Sequence, residues 1–337
     1  MEAHLAMRLA VRQPASAPVA IPYLGALRDR DLLSAGDLSA GELEALLEAA
    51  AVLKDEWAFR HDHVGRPLAG KTVALLFQKP SLRTRVSFEL AVEQLGGQSL
   101  YLADADVGIE RRESAADIAR TLERWVDALV ARTFRHGLVE DLAEAMSVPV
   151  VNALTDREHP CQALADLFTL RERFGSLRGL VVAFVGEANN VAMSLALAGS
   201  RLGMQVRIAH PPAYGPDPEL MALVRSSAMR HGGLVTTMQD PQAAVEGAQA
   251  VYADTWVSMG DEADAPIRRR AFAGYQVDTD LMAAAAPDAI FLHCLPAHRG
   301  EEVSADVIDG PQSAVFDQAE NRLHVQKALL MGLLGPR

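Results

Sequence analysis

The segment Ser81-Leu82-Arg83-Thr84-Arg85 places two hydroxyls and two arginines between an apolar run at 72–77 and a helical pattern at 84–95. The apolar run has strand character, and two glycines follow the helical pattern. Where a strand leads into a helix, free backbone N–H groups and the positive end of the helix dipole converge, and guanidinium groups add paired donors for phosphate oxygens. The sequence therefore predicts a phosphate site here. The alternative is a surface helix start with two solvated arginines.

Two more polar clusters lie in the first half of the chain. Arg132 ends the apolar stretch that begins at Ala128, and His159-Pro160-Cys161-Gln162 opens a predicted helix at 160–175. Proline suits the first turn of a helix, and an imidazole at the helix mouth can donate a hydrogen bond to a carbonyl group. Each cluster also has an ordinary interpretation, a solvated strand end for the arginine and a helix cap with an incidental histidine for the other.

The second half begins with two clusters that follow apolar runs. The amides in Gly186-Glu187-Ala188-Asn189-Asn190 suit a carboxylate ligand, because the G-x-G-x-x-G pattern of dinucleotide sites is absent. Asp254-Thr255-Trp256-Val257-Ser258-Met259-Gly260 offers a carboxylate for a cationic amine, followed by a loop with available backbone groups. A capped turn is the alternative for the second cluster.

The last two clusters are His293-Cys294-Leu295-Pro296 and Glu320-Asn321-Arg322. The first puts a cysteine at the end of a predicted strand, where it can touch substrate, and makes Leu295-Pro296 a candidate cis peptide. Arg322, at the predicted start of the last helix, is either a further anion contact or a solvated arginine. The two cysteines lack the closely spaced ligand pairs of structural zinc sites, so we expect neither a metal nor a cofactor.

Bulk properties exclude several classes of protein. The 337 residues carry 32 basic and 44 acidic side chains, a net charge of −12 that argues against nucleic-acid or anionic-membrane partners. Only two cysteines are present, which favours a reducing compartment, the cytoplasm. No apolar run approaches the roughly 18 residues of a membrane span. Residues 1–22 are expected to be a poorly ordered N-terminal extension, with a targeting peptide as the alternative.

Predicted strands and helices alternate along the chain. The strands are 72–77, 98–102, 128–134, 148–153, 180–186, 205–209, 234–238, 250–254 and 289–294, and the helices are 38–53, 84–95, 114–125, 138–146, 160–175, 190–202, 217–230, 241–247, 278–286 and about 319–334. This alternation predicts an α/β protein with two doubly wound parallel-sheet domains joined by helices, the last helix packing back on the first domain. Ligands of such sheets bind at the carboxyl ends of strands, where the clusters fall.

The residues of these segments and their order along the chain closely resemble those of the ornithine carbamoyltransferases. The motifs are Ser-Leu-Arg-Thr-Arg, His-Pro-Cys-Gln, Asp-x-Trp-x-Ser-Met-Gly, His-Cys-Leu-Pro and Glu-Asn-Arg-x-His, and the similarity runs from about Arg28 to about Leu334. The resemblance implies transfer of a carbamoyl group from carbamoyl phosphate to L-ornithine. It further implies a carbamoyl phosphate-binding domain at 23–155 plus 318–337, an ornithine-binding domain at 156–317, and a homotrimer or a higher multiple.

The resemblance also implies roles for individual residues. The expected catalytic residues are Arg83, Arg132, His159 and Cys294. The expected carbamoyl phosphate contacts are Ser81, Leu82 through its backbone, Arg83, Thr84, Arg132, His159, Gln162, Cys294, Leu295 and Arg322. The expected ornithine contacts are Asn190, Asp254, Ser258 and Met259.

Some residues depart from the family's pattern, and other functions compete. Leu82 stands where threonine is frequent, and Glu110 where glycine is common. An aspartate carbamoyltransferase is disfavoured because Asp254 would repel a dianionic acceptor. An acceptor such as acetylornithine or putrescine stays open. A catalytically silent partner subunit would be expected to lack Arg83, His159 or Cys294, which are all present.

Overall fold

The computed structural model describes residues 21–258 and 260–336. Nearly all of the predicted extension 1–22, and the predicted contact Met259, therefore lie outside the described residues. Within the described ranges, no helix combines the length and the apolar character needed to cross a bilayer.

Nine strands of the described residues form two sheets. They are β1 (Thr72–Phe77), β2 (Gln98–Ala103), β3 (Ala128–Arg132), β4 (Val150–Leu154), β5 (Val181–Val185), β6 (Gln205–Ala209), β7 (Leu234–Met238), β8 (Ala250–Ala253) and β9 (Ile290–His293). The first sheet has the order β2-β1-β3-β4 and the second the order β7-β6-β5-β8-β9, and all neighbours are parallel. Two doubly wound parallel sheets are thus confirmed. The strand order reverses between β1 and β3 and between β5 and β8, where such sheets bind ligands.

Thirteen α-helices surround the sheets in the described part of the chain. They are α1 (Ala40–Arg60), α2 (Leu82–Gln94), α3 (Asp104–Val107), α4 (Ala115–Leu122), α5 (His136–Ala145), α6 (Pro160–Phe174), α7 (Asn190–Arg201), α8 (Pro218–His231), α9 (Pro241–Val245), α10 (Ala265–Ala271), α11 (Thr279–Ala283), α12 (Ala305–Ile308) and α13 (Val315–Leu334). Short 3₁₀ turns lie at Gly25–Leu27, Pro212–Tyr214 and Glu262–Asp264.

The central strands of each sheet are buried on both faces. Along β1, Leu75 belongs to a core that extends to Phe184 of β5, whereas its neighbour Leu76 faces a separate cluster on the outer side of the first sheet. Ala183 of β5 likewise faces its own outer cluster. Helices on both faces explain why the parallel strands read as continuous apolar runs rather than alternating ones. The central core is shared by the two sheets.

Local signals start two of the long helices as predicted. Ser39 caps α1: its hydroxyl accepts the Glu42 N–H at 3.3 Å, and the Glu42 carboxylate accepts the Ser39 N–H at 2.8 Å. This reciprocal pair satisfies two donors that the first turn of a helix leaves free. Pro160 occupies the first position of α6, where a missing N–H costs nothing.

The last helix packs back as predicted, although its predicted start was wrong. It contacts α1, α2 and α6. It begins at Val315 rather than near 319, after Ala314, which provides no side-chain cap. Arg322 therefore lies in the third turn of α13 and is 3% exposed, rather than standing at the helix start.

Candidate active site

The start of α2 forms an anion cradle. Ser81 caps the helix, and its hydroxyl oxygen accepts the Thr84 N–H at 3.2 Å. Thr84 is buried, and its own hydroxyl oxygen accepts a hydrogen bond from Arg322 Nη2 at 2.6 Å. The Leu82 side chain is 74% exposed, so only its backbone faces the cradle. Free N–H groups of the first turn, a hydroxyl and a guanidinium converge here as the sequence predicted.

Three arginines crowd behind this cradle. Arg132, at the end of β3, and Arg322 are both buried, and Arg83 is partly buried. Burial, together with the charges of Arg322 and Arg83, lowers the pKa of Arg132 to about 10. The Nε atoms of Arg132 and Arg322 are buried with no acceptor in the described part of the chain. Repelling cations with unmatched donors suit an anionic ligand.

His159 and Gln162 extend the site from the start of α6. His159 is buried, and burial, followed by the charges of Arg322 and Arg132, holds its pKa well below the usual range. The imidazole is therefore neutral at pH 7, and its Nδ1 has no hydrogen-bond partner among the described residues. Gln162 Oε1 accepts from Arg322 Nη1 at 2.8 Å. The backbone N–H of His159 donates to Ser194 Oγ at 2.8 Å, which holds the ring at this place.

A carboxylate–thiol pair joins the ends of β8 and β9. The Cys294 thiol donates to Asp254 Oδ1 at 3.0 Å, and Asn189 Nδ2 donates to Asp254 Oδ2 at 2.7 Å. The Thr255 N–H donates to Oδ1 at 2.8 Å. Burial, then the charge of Asp254 and the hydrogen bond to it, raises the pKa of Cys294 well above its usual value. The thiol is thus protonated at neutral pH.

The two asparagines at the start of α7 make different hydrogen bonds. Asn189 is the N-cap: its Oδ1 accepts the Val191 and Ala192 N–H groups, while its Nδ2 reaches Asp254. Asn190, the predicted ligand contact, directs its Nδ2 to the Thr155 carbonyl oxygen at 2.6 Å. Sequence reasoning included Asn189 among the amides for a carboxylate ligand but missed its capping role, although an asparagine immediately before a helix is the usual signal for a cap.

The segments after β8 and β9 carry the other predicted contacts. Ser258 is partly buried in the loop after β8. Leu295 has a left-handed backbone with φ 58°, and its N–H donates to His293 Nδ1 at 2.9 Å. The Leu295–Pro296 peptide is cis, as the sequence suggested.

Residues from the two halves of the chain converge on Cys294. The Cys294 sulfur lies close enough to Arg83, Arg132 and Arg322 that a negative charge on it would raise the pKa of each arginine. The phosphate cradle and the carboxylate–thiol pair therefore belong to one site. Lys79, which sequence reasoning missed, lies near the same group of cations, because burial and then the charge of Arg132 lower its pKa.

Asp254, His293 and Cys294 bring three possible metal-ligand atoms within 4.8 Å of one another. Both His293 nitrogens are engaged, since Nδ1 accepts the Leu295 N–H and Nε2 lies 3.2 Å from Glu302 Oε1. A metal here would have to displace one of these hydrogen bonds. The cluster is better described as a hydrogen-bonded set that fixes the end of β9.

Glu110 lies in the loop after α3, at the position where glycine is common in the family. Its backbone is left-handed, with φ 60°, which explains why glycine suits this position. Its carboxylate forms an ion pair with Arg135. The departure at Glu110 is therefore accommodated locally by the chain.

Comparisons with known proteins match most of the chain. Residues 30–172 match the model of the aspartate/ornithine carbamoyltransferase carbamoyl-P binding domain, and residues 178–333 match the Asp/Orn binding domain of the same family. The ornithine carbamoyltransferase of Symbiobacterium thermophilum is 54% identical over 312 residues, 90% of this chain and 97% of the relative. A relative from Pyrococcus furiosus, named an anabolic ornithine carbamoyltransferase, is 50% identical over 312 residues, 92% of this chain and 98% of its own.

Solved structures agree with these matches. The ornithine carbamoyltransferase structure from Pyrococcus furiosus superposes with a TM-score of 0.89 at 50% identity, covering 91% of this chain and 98% of the other. The structure of the enzyme of the same name from Thermus thermophilus gives a TM-score of 0.81 at 48% identity, covering 90% and 98%.

Proposed function

This chain belongs to the aspartate/ornithine carbamoyltransferase family, and we propose that it transfers the carbamoyl group of carbamoyl phosphate to the δ-amine of L-ornithine, giving L-citrulline and phosphate. The observation that carries the proposal is a buried group of three unpartnered nitrogens, Arg132 Nε, Arg322 Nε and His159 Nδ1, which have no hydrogen-bond partner within the described residues. An acyl phosphate brings both a dianion and a carbonyl oxygen to such donors.

The phosphate group binds at the start of α2. Ser81, Arg83, Thr84 and the backbone of Leu82 surround it, with Arg132 and Arg322 behind. At neutral pH all three arginines stay charged, because even the lowered pKa of Arg132 is about 10. They stabilise the charge that develops on phosphate as the C–O bond breaks.

The carbamoyl carbonyl lies next to His159, with Gln162 and Leu295 alongside. A neutral imidazole donates one hydrogen bond and holds no competing positive charge, so it polarises the carbonyl while the arginines serve the phosphate. Attack by the neutral δ-amine forms the C–N bond, and phosphate leaves with the C–O electron pair. The proton that the amine nitrogen loses passes to the departing phosphate, which leaves as hydrogen phosphate. No covalent enzyme intermediate is required, and rate comes mainly from positioning the two substrates.

The ornithine side of the site is built on Asp254 and Cys294. The Asp254 carboxylate suits a cationic α-amino group, and Asn190 suits the α-carboxylate. Ser258 and Met259 are further ornithine contacts in this proposal. Cys294 lies toward the δ-amine. Asp254 also opposes a dianionic acceptor such as aspartate, which favours the ornithine branch of the family. One relative is named anabolic, which favours the citrulline-forming direction.

An acceptor panel tests the function. Purified protein is given carbamoyl phosphate with ornithine, acetylornithine, putrescine or aspartate, and the carbamoylated product is measured. We expect ornithine to exceed each of the others by about a hundredfold or more in kcat/KM, because a missing charged contact leaves a buried partner unpaired. A stronger reaction with another acceptor would replace ornithine with that substrate.

A matched pair of variants tests the phosphate site. Arg83→Ala should lower kcat/KM for carbamoyl phosphate by about a hundredfold or more, since it removes a charged donor from the leaving group. Arg120→Ala, on the exposed face of α4, should leave it unchanged. Equal activity of the two variants would contradict the role of Arg83.

Three further properties are part of the proposal. The carbamoyl phosphate-binding domain comprises residues 23–155 plus 318–337, and 156–317 form the ornithine-binding domain. The enzyme is a homotrimer or a higher multiple, which agrees with exposed apolar residues on α2 and β2. It works in the cytoplasm, in agreement with two free cysteines, a common feature of proteins in reducing compartments.

A further inference from the structure

Asp166 lies in the middle of α6, one turn after Gln162, and is completely buried. It forms no salt bridge with any described residue. Burial raises the pKa of Asp166 to about 7, against the lowering effect of hydrogen bonds from Gln162, Gln318 and Tyr252. A buried carboxyl group costs free energy, so its retention here calls for a role.

One oxygen of Asp166 accepts all three hydrogen bonds. Gln318 Nε2 donates to Oδ1 at 2.6 Å, Gln162 Nε2 at 2.8 Å, and the Tyr252 hydroxyl at 3.3 Å. The donors come from α13, α6 and β8. These elements carry Arg322, His159 and Asp254 respectively at or near their site ends.

The far ends of the two amides reach the active site. Gln162 Oε1 accepts from Arg322 Nη1 at 2.8 Å, and Gln318 Oε1 accepts from the His293 backbone N–H at 2.9 Å. A guanidinium and a backbone N–H can only donate, so each amide must turn its oxygen toward them and its NH₂ group toward Asp166. The orientations therefore follow from the chemistry of the neighbours.

We propose that Asp166 is a positioning residue: its Oδ1 fixes the direction of both amides, so that Gln162 holds Arg322 and Gln318 holds the segment that carries Cys294. The inference rests on the proposed function. It assigns the Gln162 arm, which ends at Arg322, to the carbamoyl phosphate side and the Gln318 arm, which ends at the His293 backbone N–H, to the ornithine side. Without an acceptor at position 166, either amide can rotate and set its NH₂ group against another donor. Arg322 would then lose a hydrogen bond that keeps it on Thr84.

The orienting effect needs an oxygen but not a negative charge. When the carboxyl group is protonated on Oδ2, which has no hydrogen-bond partner among the described residues, Oδ1 still accepts. The side-chain oxygen of an asparagine can do the same. Replacing Asp166 with asparagine therefore keeps the hydrogen-bond acceptor, whereas replacing it with leucine keeps only a side chain of similar volume.

The experiment compares Asp166→Asn with Asp166→Leu in the full-length protein. For Asp166→Leu we expect the KM values of carbamoyl phosphate and ornithine each to rise about tenfold, the size expected for loss of one well-oriented hydrogen bond to a charged or buried group. Asp166→Asn should stay within about threefold of the natural enzyme. Circular dichroism and a melting curve establish that each variant is folded.

Of two other variants, one tests the Gln318 arm separately from the Gln162 arm and the other supplies the control. Gln318→Leu should raise the KM of ornithine while leaving that of carbamoyl phosphate within about twofold, since Gln162 stays oriented. Thr169→Val removes a buried hydrogen bond, 3.0 Å long, that Asn321 Nδ2 donates between the same two helices one turn further on. It should lower the melting temperature without changing either KM.

A readout independent of turnover accompanies the kinetics. Gln318→Leu should increase the rate at which iodoacetamide alkylates Cys294, because it frees the preceding backbone N–H; Thr169→Val should not. If the natural protein forms no citrulline, the proposed function fails, and this labelling rate still tests the Gln318 arm. The positioning role is overturned if folded Asp166→Leu keeps both KM values, or if Asp166→Asn is as impaired as Asp166→Leu. Should Asp166→Leu fail to fold, an impaired Asp166→Asn or an unchanged Gln318→Leu overturns it.

Discussion

Asp254 is held between two neutral donors, the Cys294 thiol and the Asn189 amide. A carboxylate that is already hydrogen-bonded does not have to reorganise when a cationic amine arrives, and the thiol can turn from it toward the incoming group. Cys294 is therefore a protonated donor rather than a nucleophile, because burial and the adjacent Asp254 raise its pKa well above the usual value.

This protonation state can be measured by alkylation. At pH 8, Cys294 should react with iodoacetamide far more slowly than a free thiol, since the thiolate is the nucleophile. Asp254→Asn should accelerate the reaction several-fold, because it removes the negative charge that opposes ionisation. Mass spectrometry of tryptic peptides over time gives the rate for each cysteine.

The same digest contains the control. Cys161 is fully buried, and burial raises its pKa to about 12, so its labelling should be slow in both proteins. Cys294→Ser should abolish the faster signal. Rapid labelling of Cys294 in the natural enzyme would mean that the thiol is ionised and would contradict its role as a donor.

At the scale of single residues, sequence reasoning succeeded where a polar side chain follows an apolar run. Arg132, Asp254 and Cys294 were found in this way, because the carboxyl ends of parallel strands meet at one edge. The capping role of Asn189 was missed, as was Asp166. Asn189 and Asn190 are the same residue type, so the sequence does not show which of them caps α7. Two of the three partners of Asp166, Tyr252 and Gln318, lie far from it along the chain.

Among the elements, α13 contains an unusual buried cation that no part of the mechanism uses. Lys327 is fully buried, its Nζ is 2.9 Å from His63 Nε2, and it lies 4.4 Å from the centre of the Trp57 ring. His63 Nδ1 in turn lies 2.7 Å from Glu56 Oε2. Burial lowers the pKa of Lys327 from 10.5 to about 7.

This pKa makes the stability of the helix packing depend on pH. Between pH 7 and 10.5 the unfolded chain holds a proton on Lys327 that the folded chain has lost, so stability rises with pH across this window and is lowest below it. One such proton changes the free energy of unfolding by at most about 1.4 kcal/mol per pH unit. Lys327→Met should remove this slope.

Urea unfolding of the natural protein and of Lys327→Met at pH 7.5, 8.25 and 9 measures the difference between their free energies of unfolding. The natural protein should gain stability relative to Lys327→Met as pH rises. Lys54→Met provides the control, since Lys54 also joins α1 to α13, through Asn321 at 2.7 Å, but lies nearer the surface. Its difference from the natural protein should not change with pH. Parallel curves for Lys327→Met would contradict the lowered pKa of Lys327.

Element prediction from the sequence failed where the signal is short or unmarked. All nine strands of the described chain were anticipated, because buried parallel strands read as apolar runs. Helices α3, α10 and α12 were missed, since none exceeds seven residues and a helical period needs about two turns to be visible. The start of α13 was misplaced because Ala314 gives no capping signal.

On the scale of the whole molecule, one core joins the two sheets. Leu75 of β1 and Phe184 of β5 belong to the same buried cluster, and α6 and α13 lie between them. The sequence predicted two sheets and the return of α13, but not this shared core, since that depends on which helix faces meet. Arg322 reaches Thr84 and Gln162 because α13 crosses from one half to the other.

The proposed trimer makes a final prediction about the edge of the first sheet at β2 and the neighbouring helix α2. Leu82, Val86 and Leu90 of α2 and Leu100 of β2 are exposed apolar residues, and β2 pairs only with β1 among the described strands. An unpaired edge with adjacent apolar side chains favours association. The patch shares α2 with the phosphate cradle, so assembly and activity should be linked. Leu100→Glu should therefore lower both the mass in sedimentation velocity, from three times 36.3 kDa or a multiple of it, and the citrulline rate.

The matched control places the same charge on a different exposed apolar residue. Met229 of α8 is 85% exposed and lies in the second half of the chain, so Met229→Glu should keep the assembly and its activity. Because a buried glutamate opposite an apolar neighbour is strongly unfavourable, Leu100→Glu should dissociate at protein concentrations where Met229→Glu does not. An unchanged mass for Leu100→Glu would place the interface elsewhere. Full activity of a dissociated Leu100→Glu would separate catalysis from assembly, and the phosphate cradle would then be complete within one chain.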